Sequence, residues 1–122
     1  MRCPPSLEER MKTSPTQRSL KRLRESGYTC QVVEKWNPFA KIRQDLFGWI
    51  DIVAVHENYG IAGVQTTTAK NMAARLKKAE GNHALLCWLQ GGNGAHLILH
   101  GWKKTKLGWE CVSRDVRTED IL

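Results

Sequence analysis

A chain of 122 residues with 41% hydrophobic content and five tryptophans has material for one core and little room for a second. Nineteen Lys and Arg against twelve Asp and Glu leave a formal charge of +7, which favours polyanions, nucleic acid ahead of an anionic membrane surface. No apolar window approaches the roughly eighteen residues of a spanning helix, and MRCPPSLEERMKTSP has no apolar signal centre, so a cytoplasmic chain without membrane association is expected, nucleoid-associated or, if phage-encoded, in the host cytoplasm.

Residues 1–15 hold three of the four prolines and read as an N-terminal arm, leaving 16–122 as one domain. SPTQRSLKRLRESG predicts a helix, with Ser14 or Thr16 as cap, Pro15 in the first turn, Leu20 and Leu23 as the apolar stripe, and Gly27 as the stop. YTCQVVEK reads as a strand, followed from Pro38 to Gly48 by a loop. WIDIVAV and GIAGVQT are two strands joined by the short HENYG connection, a hairpin. TAKNMAARLKKAEG has helical spacing, with Met72, Leu76 and Ala79 inward. HALLCWL and AHLILHGW read as two further strands around QGGNG, and WECV as a short one in the tail. The order predicts an α/β fold, a central mixed sheet with flanking helices, against an all-β barrel that the two helical patterns disfavour.

Strand alternation places Asp51, Val53 and Val55 on one face, and Gly63, Gln65 and Thr67 on one face of the next run. If the two strands pair through HENYG, Asp51 meets Gln65 or Thr67, and its carboxylate, the Gln65 amide oxygen and the Thr66 carbonyl form a hard oxygen set suited to Mg²⁺. The other reading stays open: an aspartate that anchors a loop, and a strand that runs into a helix N-terminus. Asp45 is a further candidate ligand or a loop anchor. Lys70 at the second helix can reach back toward Asp51 to steady a phosphoryl group, or be a solvated helix residue.

Arg18, Lys21 and Arg22 make the first helix basic, while Asn71 and Arg75 share a helical face and with Lys78 offer contacts to a phosphate backbone; a merely solvated face is the alternative. Trp49 and Trp88 read as core. Trp102 with Lys103 and Lys104 in HGWKKTK is the exposed aromatic-basic candidate, against packing over a strand edge. Glu34 reads as an exposed ion pair with Lys35. Cys3, Cys30, Cys87 and Cys111 lack metal spacing and read as reduced thiols, Cys30 and Cys87 buried; His56, His83, His96 and His100 read as structural.

With GWIDIVAV, GVQTT and NMAARLKKA in view, the chain from about residue 16 to 102 resembles the PD-(D/E)XK nuclease superfamily, notably its small Holliday junction resolvase-like, Mrr-like and VRR-NUC members. The resemblance implies a restriction-endonuclease-like core of helix, three strands, helix and two strands. It also implies hydrolysis of DNA phosphodiesters with Mg²⁺ or Mn²⁺ and a role in DNA recombination on branched substrates, for which a homodimer would be suited because two-fold symmetry places two sites on related backbones. On it, Asp51 corresponds to the metal-binding aspartate, Gln65 stands at the Glu or Gln position, Thr67 at the lysine position, and Gln17 nearest the first-helix glutamate. The departures leave two alternatives beside an active nuclease: a noncatalytic nucleic-acid-binding module on a degenerate nuclease fold, or a small structural or adaptor protein.

Overall fold

The computed structural model describes residues 13–122, so most of the expected arm, Cys3 included, lies outside the described residues. The first helix, α1 (Pro15–Glu25), forms where its end signals are local: the Ser14 hydroxyl accepts from the Gln17 amide, Pro15 opens the first turn, and Arg22 and Arg24 sit at the negative end of the dipole. Gly27 takes φ +93°, and the Tyr28 amide closes back on the Leu23 carbonyl.

Seven strands follow: β1 (Thr29–Val32), β2 (Lys35–Asn37), β3 (Ile42–Gln44), β4 (Ile52–His56), β5 (Gly60–Thr68), β6 (His96–Thr105) and β7 (Gly108–Val116). Between β5 and β6 come a 3₁₀ turn (Ala69–Asn71), α2 (Met72–Lys78) and α3 (His83–Gln90); α4 (Thr118–Ile121) closes the chain. The five-stranded sheet has the order β1-β4-β5-β6-β7, and β2 and β3 form a separate hairpin. Pairing is antiparallel except β5 with β6, where the helical crossover makes a parallel pair possible. This is an α/β fold with a mixed sheet flanked by helices, of restriction-endonuclease-like topology.

The sheet separates two apolar clusters, as strand alternation requires. On one face Leu20 and Leu23 of α1 pack on Ile52, Ala54, Ala62 and Val64. On the other, Trp49, Ile50, Leu97 and Leu99 meet Ala79, Leu85 and Ile121, with Met72 and Leu76 of α2 against them. Gly101 is where this layer comes closest: a Cβ there would strike Met72 and lie 3.0 Å from the Ala69 Cα. Gly101→Ala is expected to cost about 1–3 kcal/mol in denaturant unfolding, the usual range for overpacking a fitted contact.

Three expectations differ from the structure. HALLCWL is α3 rather than a strand: Asn82 caps it by accepting from the Leu85 amide, and only Leu85 is fully buried. The last two strands are instead β6 and β7, the latter far longer than WECV. The stretch after Pro38 belongs to the β2–β3 hairpin, whose turn is held by the Asn37 Oδ1 accepting from the Phe39 and Ala40 amides at 3.0 and 3.1 Å. Cys30, Cys87 and Cys111 are free, with Cys30 half-buried and Cys87 exposed on α3 rather than buried in a strand. No helix among the described residues is long and apolar enough to cross a membrane.

Trp49 is core, and Trp88 packs against that core with its Nε1 donating to the His96 carbonyl at 2.8 Å. Trp102 is buried, not exposed: its Nε1 donates to the Ser19 hydroxyl at 2.9 Å, and the same hydroxyl lies 2.8 Å from His100 Nδ1. Burial, assisted by the charge of Arg22, lowers the His100 pKa to about 4, so this imidazole is neutral at pH 7 and serves the packing of α1 on β6.

Candidate metal centre and its cleft

Three carboxylates converge at one end of the sheet. The antiparallel pairing of β1 with β4 sets Val32 opposite Ile52, and the Asp51 carbonyl accepts from the Val33 amide at 2.8 Å and the Glu34 amide at 3.4 Å. The chain leaving β1 is thereby pinned beside the residue that enters β4. Asp45 follows β3, in a tight return where the Gly48 amide reaches the Asp45 carbonyl and Leu46 bridges Ile50. The result is a cluster in which one oxygen each from Glu34, Asp45 and Asp51 lie within 4.8 Å of one another.

Asp51 is the buried member, 4% exposed. Its Oδ2 accepts from the Thr66 amide at 2.9 Å and the Thr66 hydroxyl at 3.3 Å. Burial first, then the neighbouring Asp45 and Glu34 carboxylates, push its pKa up to about 8 against the pull of the Thr66 amide. Cations sit at the rim: Arg43 Nη1 is 3.6 Å from Glu34 Oε1, and Lys78 Nζ is 3.9 Å from Asp45 Oδ2. The first turn of α1 closes the cluster from above, with the Thr16 hydroxyl 3.0 Å from that of Thr66 and 3.5 Å from Glu34 Oε1.

The cluster fits a hard divalent cation. All three side chains offer oxygen, the donor that Mg²⁺ and Mn²⁺ take, and the oxygens lie within 4.8 Å of one another, near enough to converge on one octahedral ion, whose ligand oxygens stand about 3–4 Å apart. Burial and, after it, the charges of Asp45 and Glu34 disfavour the ionised Asp51 carboxylate, and a bound divalent cation would favour that ionised form.

Around the cluster lies an open cleft of about 760 Å³ lined by residues of α1, β5 and α2. Gln17, Asp45, Asp51, Gln65, Thr66, Thr67, Asn71, Arg75 and Lys78 all border it. Lys70 does not: it is exposed on the 3₁₀ turn. Gln65 is fully buried and both ends of its amide are engaged, Nε2 donating to the Trp49 carbonyl and Oε1 accepting from Arg75 Nη1 at 3.4 Å. A carboxylate cannot donate to Trp49, which accounts for an amide here. Gln65→Glu is expected to lower metal-free stability by about 1–3 kcal/mol, measured by thermal melting, because it faces an oxygen with an oxygen.

The remaining basic candidates separate. Arg18, Lys21, Arg22 and Lys104 lie with Trp102 along a second cavity beyond α1, whereas Lys103 faces away and pairs with Glu110 at 3.4 Å. Sequence reasoning missed Glu34 and Arg43. Glu34 is half-buried and partnered by Arg43, not by Lys35, and the signal for it was the antiparallel pairing of YTCQV with DIVAV, which carries the following glutamate to Asp51. Compared with family models, curated proteins and solved structures, the chain matches none.

Proposed function

We propose that this chain is a divalent-metal-dependent nuclease acting on DNA phosphodiesters, with Glu34, Asp45 and Asp51 holding Mg²⁺ or Mn²⁺. The observation that carries the reading is the meeting of three carboxylates in a polar cleft that Arg43, Arg75 and Lys78 also border. When bound, the metal supplies Lewis acidity and lowers the pKa of a coordinated water.

The chain's own residues do the rest. Thr66 fixes the Asp51 carboxylate through its amide and hydroxyl. Gln65 holds the Arg75 guanidinium in the cleft, where it and Lys78 face a phosphate entering from solvent. In this reading Arg75 and Lys78, not Lys70, take the place of the lysine that Thr67 lacks. Asn71 and Gln17 contribute hydrogen bonds to the same phosphate chain from opposite walls. Branched DNA such as a Holliday junction, cut by a two-fold dimer, is the finer form of the reading.

A noncatalytic nucleic-acid-binding module is the second reading, favoured by the engagement of Gln65 in structural hydrogen bonds. Incubation with branched, nicked and linear DNA separates the two. Cleavage should require Mg²⁺ or Mn²⁺ and fall at least about a hundredfold in Asp51→Ala. Binding without cleavage under any metal selects the module, and cleavage undiminished in Asp51→Ala removes the assignment of the centre.

A further inference from the structure

On the far side of α1 from the acid cluster, the helix and the β6–β7 hairpin enclose a groove of about 1110 Å³. Register explains its lining: Trp102 pairs with Cys111 and Lys104 with Trp109, so these side chains share the sheet face that carries α1, while Lys103 lies outside the groove and pairs with Glu110 at its border. Trp109 is 42% exposed, with the Arg18 guanidinium carbon 3.4 Å from its ring centroid and Lys104 Nζ at 5.2 Å. Arg18 also donates from Nη2 to the Thr13 carbonyl, while its Nε is buried without a hydrogen-bond partner. Lys21 and Arg22 project into the same groove from α1, and the carboxylates Glu25 and Glu110 also border it.

We propose that this groove binds a single unpaired nucleic-acid strand, with a base extending the Arg18–Trp109 stack and phosphates held by Lys21, Arg22 and Lys104. The inference rests on the nuclease reading for its setting, since Gln17 borders both the groove and the acid cleft and a strand lying in one is led across the first turn of α1 into the other. The ligand class follows from chemistry. A planar cation already stacked on a half-exposed indole is a platform for a π-face, and nearby ammonium and guanidinium groups answer a sugar-phosphate chain. A duplex offers phosphates, sugars and base edges but no π-face, because its base faces are hidden in the stack. The substrate so described is DNA with a single-stranded arm beside the scissile phosphate.

The test is fluorescence anisotropy of the full chain in EDTA, so that binding is read without cleavage. The probes are a labelled oligothymidine of about 12 nucleotides, an abasic strand of equal length, and a duplex. Oligothymidine is expected to bind about tenfold more tightly than either. Trp109→Ala should abolish that preference while leaving the abasic strand unaffected, Trp109→Phe should restore most of it, and Lys104→Ala should lower the salt dependence by about one counterion. Lys103→Ala should leave the preference for oligothymidine over the abasic strand unchanged, since Lys103 lies outside the groove. Equal binding of the abasic strand, tighter binding of the duplex, or indifference to Trp109→Ala overturns the proposal. Binding with these preferences but no cleavage in metal leaves the groove standing and removes the nuclease reading; cleavage without strand preference does the reverse.

Discussion

Millimolar Mn²⁺ is expected to raise the melting temperature of the wild-type chain by about 8 °C and to leave Asp51→Asn unchanged. A ligand at a hundred times its Kd stabilises a folded protein by about 2.7 kcal/mol, and a domain of this size gains a few degrees per kcal/mol. The effect runs through Asp51 because it is the buried member of the acid cluster and is flanked by both other carboxylates. Asn at this position keeps an oxygen for the Thr66 amide, which now donates to Asp51 Oδ2 at 2.9 Å, but brings no charge to a cation. In EDTA at pH 8 the variant should therefore melt no lower than wild type. A variant several degrees less stable without metal, or one that responds to Mn²⁺ as wild type does, would show that the carboxylate serves the fold and not an ion.

The metal-free protein should also lose stability as pH rises from 6.5 to 8, by about 2 kcal/mol, against the usual behaviour of a carboxylate. The sign follows from proton counts. Asp51 titrates at about 8 when folded and near 3.8 when exposed, so through this window the folded chain holds a proton that the unfolded chain has released. His100 opposes this only weakly there, being neutral when folded and, when unfolded, at most half protonated from pH 6.5 upward. Below pH 6.5 it acts in the opposite direction, since unfolding lets it take a proton that burial denies it down to about pH 4, and the two slopes offset each other. Urea unfolding at pH 6.5 and 8 should give the decline in wild type, a flat response in Asp51→Asn, and reversal of the decline with Mn²⁺, which competes with the proton. A flat wild-type profile in EDTA would contradict the burial of Asp51 beside two other acids.

The elements legible in the sequence are those whose signals lie within a few residues. Ser14, Pro15 and Gly27 mark both ends of α1, and the HENYG connection pairs β4 with β5 in the expected hairpin. HALLCWL was not legible, because a seven-residue apolar run satisfies both periods; the Asn82 cap and the seat of Leu85 under the sheet make it a helix. Trp102 looked exposed beside its lysines, and only the docking of α1 on β6 buries it against Ser19.

The candidate site divides in the same way. Asp51 at the head of a strand, Gln65 and the threonines at the end of the next, and a surplus of positive charge were determined by the order of residues alone. That Glu34 and Asp45 join Asp51, that Gln65 is bound to Trp49 and Arg75, and that Arg75 and Lys78 rather than Lys70 border the cleft were decided by the tertiary structure. The physical reason is range. Caps, turns and strand alternation act between near neighbours, whereas the acid cluster exists because β1 pairs with β4 across an excursion of nearly twenty residues that folds back to return Asp45 to the same edge.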